Sequence, residues 1–128
     1  MWEAIRPVIR PLDPVRVESP ITPGIPDVNY TGGWLELKWA ERWPPRGGPL
    51  RLDHFTQKQR SWLVRRRKAG GRAFLLLKVG RNEWLLFDGL TAAASVGLTT
   101  REQLYEICLA RWARLPRTEE MCKCLLLR

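Results

Sequence analysis

The sequence predicts a single α/β domain, a central mixed β-sheet with helices on both sides. Three observations carry that expectation. The chain has 128 residues, enough for one real core and too few for two. Gly32-Gly33 stands between two apolar-rich runs and reads as the two-residue loop of a hairpin. A helix with stop and start signals then leads into Arg72–Val79, a near-continuous apolar run suited to a strand buried on both faces. A hairpin of antiparallel strands followed by a crossover helix and a buried strand gives a sheet of mixed direction. The domain is expected to span 1–128, with its core at about 15–115 and a tail at 116–128.

Trp2 to Ile9 forms a short helix stopped by Pro11, with Glu3 in its first turn, where a carboxylate favours the positive helix end. Val15 to Ser19 alternates and forms the first strand, Val15 and Val17 on one face, Arg16 and Glu18 on the other. Pro20 to Pro26 is a stiff loop with three prolines. Ile25–Tyr30 and Trp34–Lys38 are the hairpin strands. With Gly32-Gly33 as the loop, Thr31 faces Trp34, Tyr30 faces Leu35, Asn29 faces Glu36 and Asp27 faces Lys38. Asp27, Asn29, Glu36 and Lys38 then share one face, and Val28, Leu35 and Leu37 the other. Asp27 and Glu36 are diagonal neighbours in this register, roughly 7 Å apart at the backbone.

Trp39 to Leu52 cannot be regular, because Pro44, Pro45 and Pro49 interrupt it. It carries Trp39, Arg42, Trp43, Arg46 and Arg51. Two readings stand for these residues, a nucleic-acid surface of arginines and stacking rings, or tryptophans that cap the edge of the core. A helix follows from Thr56 to about Ala69. Thr56 and Gln59 form a capping box and Gly70-Gly71 ends the helix. Phe55, Trp62, Leu63 and Ala69 make its apolar stripe, with Gln59 on the same side. Lys58, Arg60, Arg65, Arg66, Arg67 and Lys68 crowd the remainder, and no acid falls between Asp53 and Glu83. That absence points to phosphate contact.

Gly80 to Asn82 is a turn, Glu83 to Phe87 the next strand, and Asp88 a turn acid. Thr99-x-x-Glu102 is a second capping box, opening a helix to Leu115 with Leu104, Ile107, Cys108, Trp112 and Leu115 inward. Pro116 stops it. The apolar tail ending Leu125-Leu126-Leu127 is expected to return to the sheet edge or to meet a second copy.

Lys and Arg outnumber Asp and Glu 22 to 13, a net charge of +9, with a pI near 10.3. A polyanionic partner follows, nucleic acid before an anionic membrane. No apolar run approaches the ~20 residues needed to cross a bilayer, and the first residues show no signal-peptide core. Cys108, Cys122 and Cys124 are odd in number and make no disulfide framework, so a reduced, cytoplasmic setting is expected. Cys122 and Cys124 with the lone His54 lack zinc-site spacing.

The hairpin face carries the chemistry. Adjacent carboxylates raise each other's pKa unless a cation neutralises them. Oxygen ligands without Cys or His suit a hard ion, Mg²⁺ with Mn²⁺ able to substitute. A lysine beside them can hold a phosphate or a water. These are the parts for metal-assisted hydrolysis of a phosphodiester. The plainer alternative is a polar hairpin face with an Asp–Lys pair across it.

Pro26-Asp27, a short spacer, then Glu36-Leu37-Lys38 resembles the signature of PD-(D/E)-x-K nucleases. The wording GIPDV…GGWLELK, with a later Gln-bearing helix ending in Ala-Gly-Gly, is most similar to the virus-type replication-repair nuclease (VRR-Nuc) and Holliday-junction-resolvase branch, phage versions included. The resemblance covers roughly Val15 to Val79. It implies a restriction-endonuclease-like core and a Mg²⁺-dependent endonuclease acting on branched or flapped DNA and leaving 5′-phosphate ends. Asp27 and Glu36 would hold the metal with the Leu37 carbonyl, and Lys38 would orient or deprotonate the attacking water. Gln59, or else Gln57, would sit beside the site. A third acid is implied, Glu3 from the first helix or Glu18 from the first strand. Ser19 matches a position near the DNA backbone, and the arginines of the Gln59 helix would hold the scissile strand. Resolvases act as homodimers, and the compact format is like that of phage enzymes. The rival expectation is a non-catalytic nucleic-acid-binding protein that keeps the fold; a sequence-reading restriction or repair nuclease would need more surface than 128 residues offer.

Overall fold

The computed structural model describes residues 1–19 and 21–128. Among the described residues six strands form one sheet, β1 (Val15–Arg16), β2 (Val28–Tyr30), β3 (Gly33–Ala40), β4 (Arg72–Val79), β5 (Glu83–Asp88) and β6 (Ala110–Trp112), in that spatial order. β3 and β4 are parallel and every other pair is antiparallel. A parallel pair needs a crossover, and helix α2 (Gln57–Lys68) supplies it. The other helices are α1 (Trp2–Val8), α3 (Gly89–Ser95), α4 (Arg101–Ile107) and α5 (Thr118–Leu125). The expected mixed sheet with helices on both faces is what the chain forms.

Strand alternation divides the core into two layers. Leu75, Leu77, Leu85 and Phe87 meet Trp62 and Leu63 of α2, Ala92 of α3 and Leu104 of α4. Phe74, Leu76, Trp84 and Leu86 point the other way, onto Ile5 and Val8 of α1 and Met121 and Leu125 of α5. β4 is buried on both faces, as its composition requires. α2 keeps its predicted ends: the Thr56 hydroxyl accepts from the Gln59 amide, the Gln59 carboxamide oxygen accepts from the Thr56 amide, and Ala69 closes the helix ahead of Gly70.

Several expectations are corrected. The hairpin loop is Thr31-Gly32, with Gly32 at φ +98°, and the pairs are Val28–Leu35, Asn29–Trp34 and Tyr30–Gly33. The register is thus displaced by two residues. Two is the side-chain period of a strand, so every residue keeps its expected face, while Asp27 moves from opposite Lys38 to opposite Glu36. β1 ends at Arg16 rather than Ser19, and β3 runs on to Ala40. Pro20, the first residue of the expected stiff loop, lies outside the described residues. Ala69 is exposed. Gly89–Ser95 is a helix, and Asp88 is its N-cap, accepting from the Leu90 amide at 2.9 Å. The later capping box is Thr100–Gln103, one residue on from Thr99–Glu102. The helix it opens stops at Ile107, and the Leu109 amide donates to Leu86 to begin β6. Ile107 and Leu115 are therefore exposed. The tail folds as α5 on the sheet face, with the Tyr30 hydroxyl donating to the Leu125 carbonyl at 2.6 Å.

Candidate active site

The β2–β3 hairpin and the first turn of α2 converge on one polar cluster inside the protein. Asp27 stands just before β2, and one more step of the hairpin register places it directly opposite Glu36. Its Oδ2 accepts from the Leu37 amide at 2.8 Å and its Oδ1 pairs with the Arg16 guanidinium at 2.9 Å. Burial pushes the Asp27 carboxyl up, but the neighbouring Glu36 carboxyl, the Leu37 amide and Arg16 together hold it below its ordinary value.

Glu36 is wholly buried. Neither of its carboxyl oxygens accepts a hydrogen bond. Burial first, then the Asp27 carboxylate, drives its pKa far above the usual carboxylate range, against the pull of Lys38. Lys38 Nζ lies 3.6 Å from Glu36 Oε1. The same ammonium donates to the His54 carbonyl at 2.9 Å and to Gln59 Oε1 at 3.1 Å, with Phe55 beneath it. Gln59 thus caps α2 and positions Lys38 at once.

Gly24 fixes the loop before Asp27 against this helix. A Cβ there would lie 2.4 Å from the Lys58 carbonyl oxygen, and φ is +85°, so only glycine lets the two backbones approach.

A hard cation fits this donor set. Two carboxylates face each other, one of them buried with both oxygens unsatisfied, a state that costs free energy until a partner arrives. Leu37 turns its N–H toward Asp27, and a strand residue projects its C=O to the same side as its N–H. β2 stops pairing at Val28–Leu35, so the Leu37 carbonyl meets no β2 residue there.

The other expected residues fall in different places. Glu3 is exposed on α1, which packs on the sheet face opposite Glu36 and Lys38. Glu18 is exposed beyond β1. Among the described residues neither joins Asp27 and Glu36 in a group of three metal-ligating side chains. Ser19 accepts from the Thr22 amide at 3.1 Å, and Gln57 donates to Ser61. Arg42, Arg46, Lys58, Arg65 and Lys68 are exposed. Arg60 lies over Phe55 and donates to the Ala93 carbonyl, and Arg67 pairs with Asp88 at 2.9 Å. Arg66 covers Trp62. Trp43 donates to Glu83 and packs edge-on to Tyr105, a core-edge cap, whereas Trp39 is exposed. Sequence reasoning missed two partners of the cluster. Arg16 was legible only as an alternating strand residue, and the His54 carbonyl carries no sequence signal.

The sheet, the crossover helix and the flanking helices together decide which solved structure the chain is like. Its fold is similar to that of Hjc, a Holliday junction resolvase from the archaeal hyperthermophile Archaeoglobus fulgidus. The two share 19% identity with a TM-score of 0.55, over 98% of this chain and 99% of that one. No family profile matches the sequence, and no curated protein matches it.

Proposed function

We propose that the chain is a metal-dependent endonuclease of the PD-(D/E)-x-K type acting on branched or flapped DNA. One observation carries the reading: the buried, unsatisfied carboxyl of Glu36 between Asp27 and the fixed ammonium of Lys38. Nothing about folding requires two ionisable groups at this depth, and such groups are costly unless they serve a site. The Hjc-like fold and the +9 charge support the same reading.

Asp27, Glu36 and the Leu37 carbonyl would hold Mg²⁺ or Mn²⁺, which stabilises charge growing on a phosphate and makes water more acidic. Lys38 has two of its three protons committed to His54 and Gln59. It acts as a fixed donor at the reacting phosphate or its water. Glu36 must lose its proton to take a cation, so metal affinity should rise with pH. Gln59 keeps Lys38 aligned. The basic residues of α2 would follow the DNA backbone. Paired cuts in a four-way junction would call for a homodimer, each copy supplying one site.

The test is a four-way junction, a flap and a plain duplex, each with Mg²⁺ and with EDTA, beside Glu36→Ala and Asp27→Ala. Mg²⁺-dependent cutting of branched substrates, lost in both variants while binding remains, is the expected result. Paired symmetric cuts would specify a resolvase, and flap cuts a repair-type nuclease. Intact binding with no metal-dependent cutting of any substrate would overturn the reading in favour of a binding protein.

A further inference from the structure

β3 does more than place Lys38. The next residue, Trp39, turns to the opposite face of the sheet, and it is the one tryptophan exposed among the described residues, at 50%. It borders an open cleft of about 720 Å³ shared with Met1, Glu41, Lys78, Gly80 and Arg81. The indole is not loose. Its Nε1 donates to the Gly80 carbonyl at 3.3 Å, which sets the ring at the cleft wall. Lys78 lies over Trp84 beside it. A held aromatic surface with two cations and one acid around it is complementary to a nucleotide, a ring to stack and a phosphate to neutralise. It is a poor match for an apolar partner, which would bury Lys78 and Arg81 without compensation.

We propose that Trp39 is a stacking platform for an unpaired nucleobase, with Lys78 and Arg81 holding the adjoining phosphates. The inference rests on the nuclease reading and deepens it by naming what selects a branched substrate. Inside a duplex both faces of a base are already stacked. Only at a branch, flap or end is a base face free to meet Trp39. Trp39 directly follows Lys38 on the other face of the sheet, and β3 has no β2 partner beyond Leu35, so a strand splayed onto the indole reaches the hydrolytic cluster by passing around that open edge.

The experiment uses a flap DNA carrying 2-aminopurine at an unpaired position by the branch, with the full chain in EDTA so that nothing is cut. Stacking should quench the probe on binding. Trp39→Ala should abolish the quenching and weaken flap binding about tenfold, as expected for the loss of one stacked base, while binding to plain duplex stays the same. Trp39→Phe should retain most of both effects. Lys78→Ala with Arg81→Ala should weaken flap binding and leave the residual quenching in place. Unchanged quenching in Trp39→Ala, or equal weakening of flap and duplex binding, would overturn the proposal. The two readings fail separately: DNA cutting without Trp39-dependent quenching removes only the platform, and quenching without metal-dependent cutting removes only the nuclease.

Discussion

A carboxyl group lying wholly inside the protein, opposite one aspartate and 3.6 Å from a lysine, cannot titrate as a free glutamate does. Its raised pKa means the folded chain holds a proton that the unfolded chain has already released above about pH 4.5. Protein stability from this residue therefore falls as pH rises from that value toward the folded pKa. Asp27 has the opposite sign, since its lowered pKa confers stability that is lost only as pH falls below 3.8. His54, also lowered, adds a rising slope just below 6.5. Comparing wild type with Glu36→Gln cancels His54, and reading it at pH 4 and above keeps it clear of the Asp27 window below 3.8. In EDTA the variant should be more stable by about 1–3 kcal/mol at pH 8, the cost of one unsatisfied buried group, and nearly equal at pH 4. Thermal melts across that range check it. With Mg²⁺ the wild type should gain stability at pH 8 and the variant should not. Equal melting curves at every pH would mean that Glu36 titrates normally. The four residues of the cluster were legible because each belongs to a local pattern, a hairpin or a helix cap. The partners that hold them were not, because the His54 carbonyl and Arg16 are brought in by chain packing.

At the scale of elements, α2 is the part on which the site depends. Its cap holds Lys38 through Gln59, and its first turn receives the loop at Gly24. Gly24→Ala should therefore do two things. A Cβ 2.4 Å from the Lys58 carbonyl oxygen forces the loop away, and the φ of +85° adds strain, together about 1–3 kcal/mol of lost stability. Asp27 lies three residues on and should move with the loop, so cleavage should fall more than binding. Denaturant midpoints and single-turnover rates separate the two effects; a variant with full activity would show the contact to be slack. The same scale shows what sequence pattern can and cannot fix. The ends of α2 were readable because their chemistry is local. The hairpin faces were readable and its register was not, since a displacement of two leaves the apolar pattern unchanged. α3 was hidden because Gly89–Ser95 is built of small residues without an apolar period. Its first residue is set by packing, for a Cβ on Gly89 would lie 2.6 Å from the Ala73 carbonyl oxygen. β6 was hidden inside a helical pattern because pairing with β5 overrides it.

For the whole molecule, the net charge of +9 is not spread over equivalent cations. Arg67 is joined to Asp88 and donates to the Gly71 carbonyl, and Arg60 is held by Phe55 and Ala93. These two serve the fold. Lys58, Arg65 and Lys68 are exposed along the same helix with no ion pair among the described residues. The two groups should part when binding is measured against salt. Each phosphate contact releases counterions and contributes about 0.9 to the slope of log affinity against log salt. Lys58→Ala, Arg65→Ala and Lys68→Ala together should make that slope shallower by nearly 3 and leave the melting temperature close to that of the wild type. Arg67→Ala should do the reverse, lowering stability by about 1–3 kcal/mol through the stranded Asp88 while the slope stays as it was. If the triple variant kept the wild-type slope, the DNA would have to run across the loop of Arg42 and Arg46 instead. The basic helix would then be a solvated face with no acids on it. A shallower slope together with unchanged stability places the backbone along α2, leading from the far end of the helix to the turn where Gln59 holds Lys38.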